Sequence, residues 1–299
     1  MQKRSVFALA LAAATVAALT GCSAGSSADD GKVRVVASTN VYGDIASTIA
    51  GSAVEVTSLM SDPAQDPHSF EASAQSQLAV SKADILIENG GGYDDFMDTL
   101  RTGSKNTKAT VLNVVDISGK KAAGGDLNEH VWYDFPTVQK FTTALTDALS
   151  KADPAQKATF AKNAAAFSGK LAALQNREAE LKSKYAGEGV AITEPVPLYL
   201  LEASGLVNKT PAKFSAAIEE GTDVSPLVLQ QTLALFSGHQ VKLLAYNEQT
   251  SGPETARVQA AAAAAGIPVV PVTETLPKGK DYVGWMNANI DAVGAALAK

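Results

Sequence analysis

"DPAQKATFAKNAAAFSGKLAALQNREAELKSKYAG", residues 153–187, is the stretch that decides the fold. Asp153 is a natural N-cap with Pro154 at the first helical position, and Gly187 is a natural stop. Phe160, Ala164, Phe167, Leu171, Leu174, Leu181 and Tyr185 recur at three- and four-residue steps, and Glu178 interrupts their stripe. The spacing predicts one helix of roughly 50 Å, longer than a small domain needs, so it can run along two.

On both sides of it the pattern changes. Before it, "VRVVAS" (33–38), "VEVTSL" (54–59), "DILIENG" (84–90) and "ATVLNVVD" (109–116) read as strands. They alternate with helical segments at 41–51, 73–83 and 93–103. After it, strands are expected at 189–194, 241–247 and 267–274, and helices at 253–266 and 282–298. Short apolar strands alternating with helices of about ten residues argue for parallel sheets. The expected fold is α/β: two lobes, each a mostly parallel sheet flanked by helices, linked by one long rigid helix. The N-terminal lobe is placed at 32–152, the linking helix at 153–187 and the C-terminal lobe at 188–299.

The chain has 299 residues, 46% of them hydrophobic, which is ample for such a core. The formal charge is −6 and no basic stripe exists, so nucleic acid is not an expected partner. Residues 1–21 have the layout of a secretory signal: Lys3 and Arg4, then an uncharged apolar run from Val6 to Leu19. That run is shorter than the roughly 20 residues of a spanning helix. "LTGC" ends it with Cys22, the only cysteine, which excludes an intramolecular disulfide. "SAGSSADDG" follows and completes a flexible tether over 22–31. Loss of Lys3 and Arg4, and of no acid, takes the formal charge from −6 to −8.

Ligands of open α/β sheets gather at the carboxyl ends of strands. His68, in "QDPHSF", follows the strand at 54–59, and His130, in "NEHVWYDF", follows the strand at 109–116. Glu194 and Glu274 end the strands at 189–194 and 267–274. Singly, each has an ordinary reading: a loop histidine usually only hydrogen-bonds, and a strand-end glutamate is usually solvated or caps a helix. Together, two imidazoles and two carboxylates suit a borderline divalent ion. Four protein ligands would close a zinc site, which suits carrying an ion rather than hydrolysis. HExxH and Walker A are absent, and no expected strand leads into a GxSxG nucleophile elbow or a GxGxxG turn. "ENGGGYDDF" (88–96) lacks phosphate-binding spacing and is expected to be a tight turn, and His239 suits a helix end.

These segments resemble the solute-binding lipoproteins of bacterial zinc/manganese ABC transporters, over nearly all of the chain after Cys22. "DPHSFEAS" (66–73) and "NEHVWYDFP" (128–136) resemble the two histidine motifs of that family. "AITEPVPLYLLEASGL" (191–206) and "VTETLPKGKDYVGWMNAN" (272–289) resemble its third and fourth ligand segments, and "LTGC" resembles the lipobox. Asn128-Glu129 stands where the family has Asp-Pro, and Glu274 where it usually has Asp. The resemblance implies a non-enzymatic receptor that takes up one divalent ion through His68, His130, Glu194 and Glu274. It implies lipidation at Cys22, extracytoplasmic anchoring at the cell membrane, and delivery by a monomer to a permease with an ATPase subunit. Because zinc receptors of that family often carry a His-rich loop, absent here, and manganese receptors a glutamate at the third position, the resemblance implies manganese ahead of zinc, with iron less favoured. Neutral imidazoles are required, so affinity is expected to fall below about pH 6. The rival readings are a receptor for another solute, a surface adhesin and a secreted metal-dependent hydrolase.

Overall fold

Alternating valines open the folded body. Strand β1 (Val33–Thr39) leads directly into helix α1 (Asn40–Ala50), and β2 (Val54–Met60) returns beside β1. The computed structural model describes residues 31–62, 70–122 and 127–299, and Lys32–Lys299 form one compact unit. The signal at 1–21, Cys22, the tether up to residue 30, and His68 lie outside the described residues. The first half continues with α2 (Ala74–Ser81), β3 (Ile85–Glu88), α3 (Phe96–Ser104), β4 (Thr110–Asn113), α4 (Val114–Ser118) and α5 (Phe135–Ala152). Next comes α6 (Lys157–Tyr185). The second half is β5 (Gly189–Ile192), α7 (Leu198–Ala203), β6 (Val207–Asn208), α8 (Ala212–Glu219), α9 (Pro226–Ser237), β7 (Leu244–Asn247), α10 (Pro253–Ala264), β8 (Val269–Val272) and α11 (Tyr282–Leu297).

Among the described residues every strand pair is parallel, in two four-stranded sheets ordered β2-β1-β3-β4 and β6-β5-β7-β8. The two orders are the same topology, although no sequence repeat betrays it. In each, the order reverses between the first and third strands, which opens a crevice at their carboxyl ends. β3, β5 and β7 are buried at every residue, as strands covered on both faces must be.

The long helix is present, but it begins later than its cap suggests. Asp153 caps a 3₁₀ turn at Pro154–Gln156 by accepting the Ala155 N–H, and α6 then runs 29 residues, about 43 Å. Its buried side chains are Phe160, Phe167, Leu171, Leu174 and Glu178, the last lying within the apolar stripe. One hydrophobic cluster extends from Val35 and Ile87 in the first sheet, through Phe167 and Leu171, to Ile192 and Val272 in the second.

Several segments differ from the sequence reading, among them α7, β6 and α8, where no element is expected. The strand expected over 109–116 stops at Asn113, because the Asn113 side chain accepts the Asp116 N–H and starts α4. No element is expected between His130 and Asp153. That stretch holds α5, capped by Asp134 on the Thr137 N–H and buried through Phe135, Val138, Phe141, Leu145 and Leu149. The glycine turn is as expected. Gly90, Gly91 and Gly92 have φ of 77°, 71° and 97°, and a Cβ on Gly90 would lie 2.3 Å from the Asn113 amide.

The segment after β8 is strapped to the first half of the chain. The Asn40 amide donates to the Leu276 carbonyl (3.0 Å) and accepts the Leu276 N–H (2.9 Å). Asp44 accepts the Tyr282 N–H at 2.8 Å, and the Tyr133 hydroxyl donates to the Thr273 carbonyl at 2.8 Å. Asn40→Ala removes both Leu276 bonds and should lower stability by about 1–3 kcal/mol in urea unfolding. A change below ~0.3 kcal/mol would mean the strap carries no load.

Candidate metal site

Glu194 and Glu274 occupy equivalent places: each lies two residues beyond its strand, β5 and β8, and is almost wholly buried. Strand β7 runs between those two strands, and its last residue is Asn247. The Asn247 Nδ2 donates to Glu194 Oε2 at 2.7 Å and to Glu274 Oε1 at 2.7 Å. Its backbone N–H donates to Thr193 Oγ1, and its Oδ1 accepts the Gln249 N–H at 3.2 Å. The Gln249 Oε1 in turn accepts the Glu274 N–H at 2.5 Å and the Thr275 N–H at 3.3 Å. Thr250 Oγ1 lies 3.4 Å from Glu194 Oε2. The run "YNEQT" (246–250) therefore positions both carboxylates.

His130 arrives from the other sheet. It precedes a 3₁₀ turn at Val131–Tyr133, is fully buried, and lies against the rings of Trp132 (5.1 Å) and Tyr93 (5.9 Å). Its Nδ1 is 2.8 Å from Asn128 Oδ1, while the Asn128 Nδ2 donates to the Pro195 carbonyl at 3.1 Å. An amide oxygen can only accept, so Nδ1 carries the proton and Nε2 presents its lone pair. Nε2 faces Glu274 Oε2 at 3.9 Å. Two donors on a tetrahedral ion lie roughly 3.3 Å apart, so a small contraction would bring this pair to coordination distance. Burial, then the Glu274 charge, push the Tyr93 hydroxyl well above the ordinary tyrosine value, and it hydrogen-bonds Glu274 as a neutral donor.

The structure thus brings three of the four expected ligands into one buried cluster: His130 faces Glu274, and Asn247 joins Glu274 to Glu194. It also adds acids that were not expected. Glu129, His130 and Glu219 offer donor atoms within 4.8 Å of one another, and Glu219 Oε1 is 3.8 Å from His130 Nδ1. Burial first, then Glu129, Glu194, Glu274 and Glu220, raise Glu219 to about 9. Sequence reasoning passed over Asn247 although it had the same signal as the expected ligands, a polar residue at a strand's carboxyl end. His239 stands exposed at the end of α9, apart from this cluster.

Two parallel-sheet lobes with imidazole and carboxylates converging at strand ends define an ion-binding receptor. The family of zinc-uptake complex component A, periplasmic, matches residues 35–296, and the chain belongs to it. FimA, a metal ABC transporter substrate-binding lipoprotein of Streptococcus parasanguinis, is 25% identical, with 99% of this chain and 100% of FimA covered. PsaA of Streptococcus pneumoniae, a manganese ABC transporter substrate-binding lipoprotein, is 27% identical over 73% of this chain and 78% of its own. The fold is that of TroA, a periplasmic zinc binding protein of Treponema pallidum. The TM-score is 0.76 at 21% identity, covering 90% of this chain and 100% of TroA. The chain is a substrate-binding component of ABC-type metal uptake and not an enzyme. Among the described residues, no helix is long and apolar enough to cross a membrane.

Proposed function

We propose that the chain captures one divalent ion, manganese or zinc, through His68, His130, Glu194 and Glu274, and hands it to a permease driven by an ATPase subunit. The observation that carries this reading is the buried approach of His130 Nε2 to Glu274 Oε2, with Asn247 holding Glu194 beside them. Two converging carboxylates repel each other when ionised, and a doubly charged ion offsets that repulsion. The relatives named as manganese or metal receptors support the same cargo. An adhesin, or a receptor for another solute, is less favoured, because neither needs buried imidazole and carboxylate at this spacing.

In this reading residues 1–21 are removed, Cys22 is lipidated, and 22–31 tether a monomeric body outside the cytoplasmic membrane. Residues 32–152 and 188–299 form the lobes, with 153–187 between them. The continuous core and the Asn40 and Asp44 straps favour small lobe movements, so release would depend on docking at the permease. The test is calorimetric titration of chelator-stripped protein with Zn²⁺ and with Mn²⁺. One ion per chain is expected. Stoichiometry and affinity unchanged in the double variant Glu194→Ala, Glu274→Ala would overturn the assignment.

A further inference from the structure

The residues just beyond Glu194 hold Asn128 at two points. The Pro195 carbonyl accepts the Asn128 Nδ2–H at 3.1 Å, and the Tyr199 hydroxyl donates to the Asn128 backbone carbonyl at 2.7 Å. Tyr199 lies on α7, in the second half of the chain, whereas Asn128 precedes the 3₁₀ turn of the first half. The Tyr199 ring is itself fixed. Lys120 Nζ stands 4.1 Å from its centroid, and Lys120 pairs with Asp134, the cap of α5, at 3.2 Å. Burial, then the charges of Asp134, Glu202 and Glu129, raise the hydroxyl to about 12, so it donates as a neutral group at neutral pH.

Asn128 passes this constraint to His130. Its Oδ1 accepts the His130 backbone N–H at 3.1 Å and the ring Nδ1–H at 2.8 Å. One oxygen can serve both donors only while the backbone and side chain of Asn128 keep their relative placement. The Tyr199 bond holds the backbone end and the Pro195 bond holds the side-chain end.

We propose that Tyr199 is a positioning residue for the ion site: reaching across from the second lobe, it acts through Asn128 to set the orientation and tautomer of the His130 ring. The inference rests on His130 being a ligand, as proposed above. Tyr199 itself touches no ion. The run "EPVPLY" (194–199) then supplies one proposed ligand, Glu194, and orients another, His130, so a shift of this one segment disturbs both together. Outer hydrogen bonds of this kind fix which ring nitrogen presents its lone pair and where it points.

Tyr199→Phe keeps the ring beside Lys120 and removes only the donor. Competition titrations of the full chain with Zn²⁺ should show the affinity falling about tenfold, the lower end of what losing an outer partner of a ligand costs. In an Asn128→Ala background the same substitution should change the affinity by no more than about twofold, because its route to the ring is already broken. The second readout needs no ion. The chain has three histidines, so nitrogen NMR of the ion-free protein can follow each ring, and the His130 signals are those lost in His130→Ala. The His130 proton should sit on Nδ1 in the wild type and exchange between both nitrogens in Tyr199→Phe. A hydroxyl that served only packing would leave that signature unmoved. Unchanged affinity in Tyr199→Phe, or a proton that stays on Nδ1, would overturn the role of Tyr199 and leave His130 as a ligand. A tenfold loss in both backgrounds would overturn the route through Asn128. Wild-type affinity in His130→Ala would overturn the ion-site reading, and this inference with it.

Discussion

Alanine in place of His130 should lower the affinity for Zn²⁺ or Mn²⁺ by at least about a hundredfold, beyond the range seen when only an outer hydrogen bond is lost. The imidazole is fully buried, and Asn128 fixes its proton on Nδ1. Asn128 is itself held by the Pro195 carbonyl, next to Glu194 in sequence. One proposed ligand from the first lobe is thus oriented by the backbone that carries a proposed ligand of the second. Losing the ring leaves two buried carboxylates with less to bind a cation beside them. Asn128→Ala keeps the ring but frees it to turn, and should cost about 10–100-fold. A competition assay against a chromophoric chelator measures both. Thermal melts provide the control: wild type should gain stability with added Zn²⁺ in proportion to ln(1 + [L]/Kd), and His130→Ala should not. Affinity within about threefold of wild type would remove His130 from the site.

Much of this architecture was legible because it depends on periodicity. The α6 stripe, the wholly buried β3, β5 and β7, and the alternation around them are direct consequences of which faces must be buried. Helix α5 was not read, although Phe135, Val138, Phe141, Leu145 and Leu149 keep helical spacing. Its four threonines weaken the local preference for helix, and packing on α6 overrides them. The shared topology of the two sheets was invisible because it lies in strand order rather than in residue identity. At the site, Glu194, Glu274 and His130 could be picked by type and position. What could not be read is that Asn247 bridges both glutamates, since that follows from β7 lying between β5 and β8.

Glu178 is the residue that broke the helix stripe, and Glu178→Gln should stabilise the protein by an amount that grows with pH. Glu178 lies on α6 between Leu174 and Leu181, only 5% exposed, with its Oε1 buried and without a hydrogen-bond partner. Burial, then the charge of Asp134, raise its carboxyl to about 8. Asp134 is itself paired with Lys120 at 3.2 Å, and Tyr282 of α11, the other titratable group coupled to it, is buried and neutral. The folded state therefore keeps a proton that the unfolded chain gives up near its ordinary value of 4.5. Between those two values the folded state binds more protons, so stability falls as pH rises, by up to about 1.4 kcal/mol per pH unit. Below about pH 4.5 the penalty is absent, and above about pH 8 it is complete. Glutamine keeps the shape, stays neutral and has no such slope. The two proteins should be about equally stable near pH 4.5, and the variant ahead by about 2–4 kcal/mol at pH 8. Other carboxyls with raised values, Asp44, Asp94, Glu202 and Glu219, tilt both curves alike, so the difference between them isolates Glu178. Urea unfolding at pH 5, 6, 7 and 8 measures that difference. Parallel curves across the range would mean that Glu178 is already ionised inside the fold, and that the helix carries a buried charge rather than a buried acid.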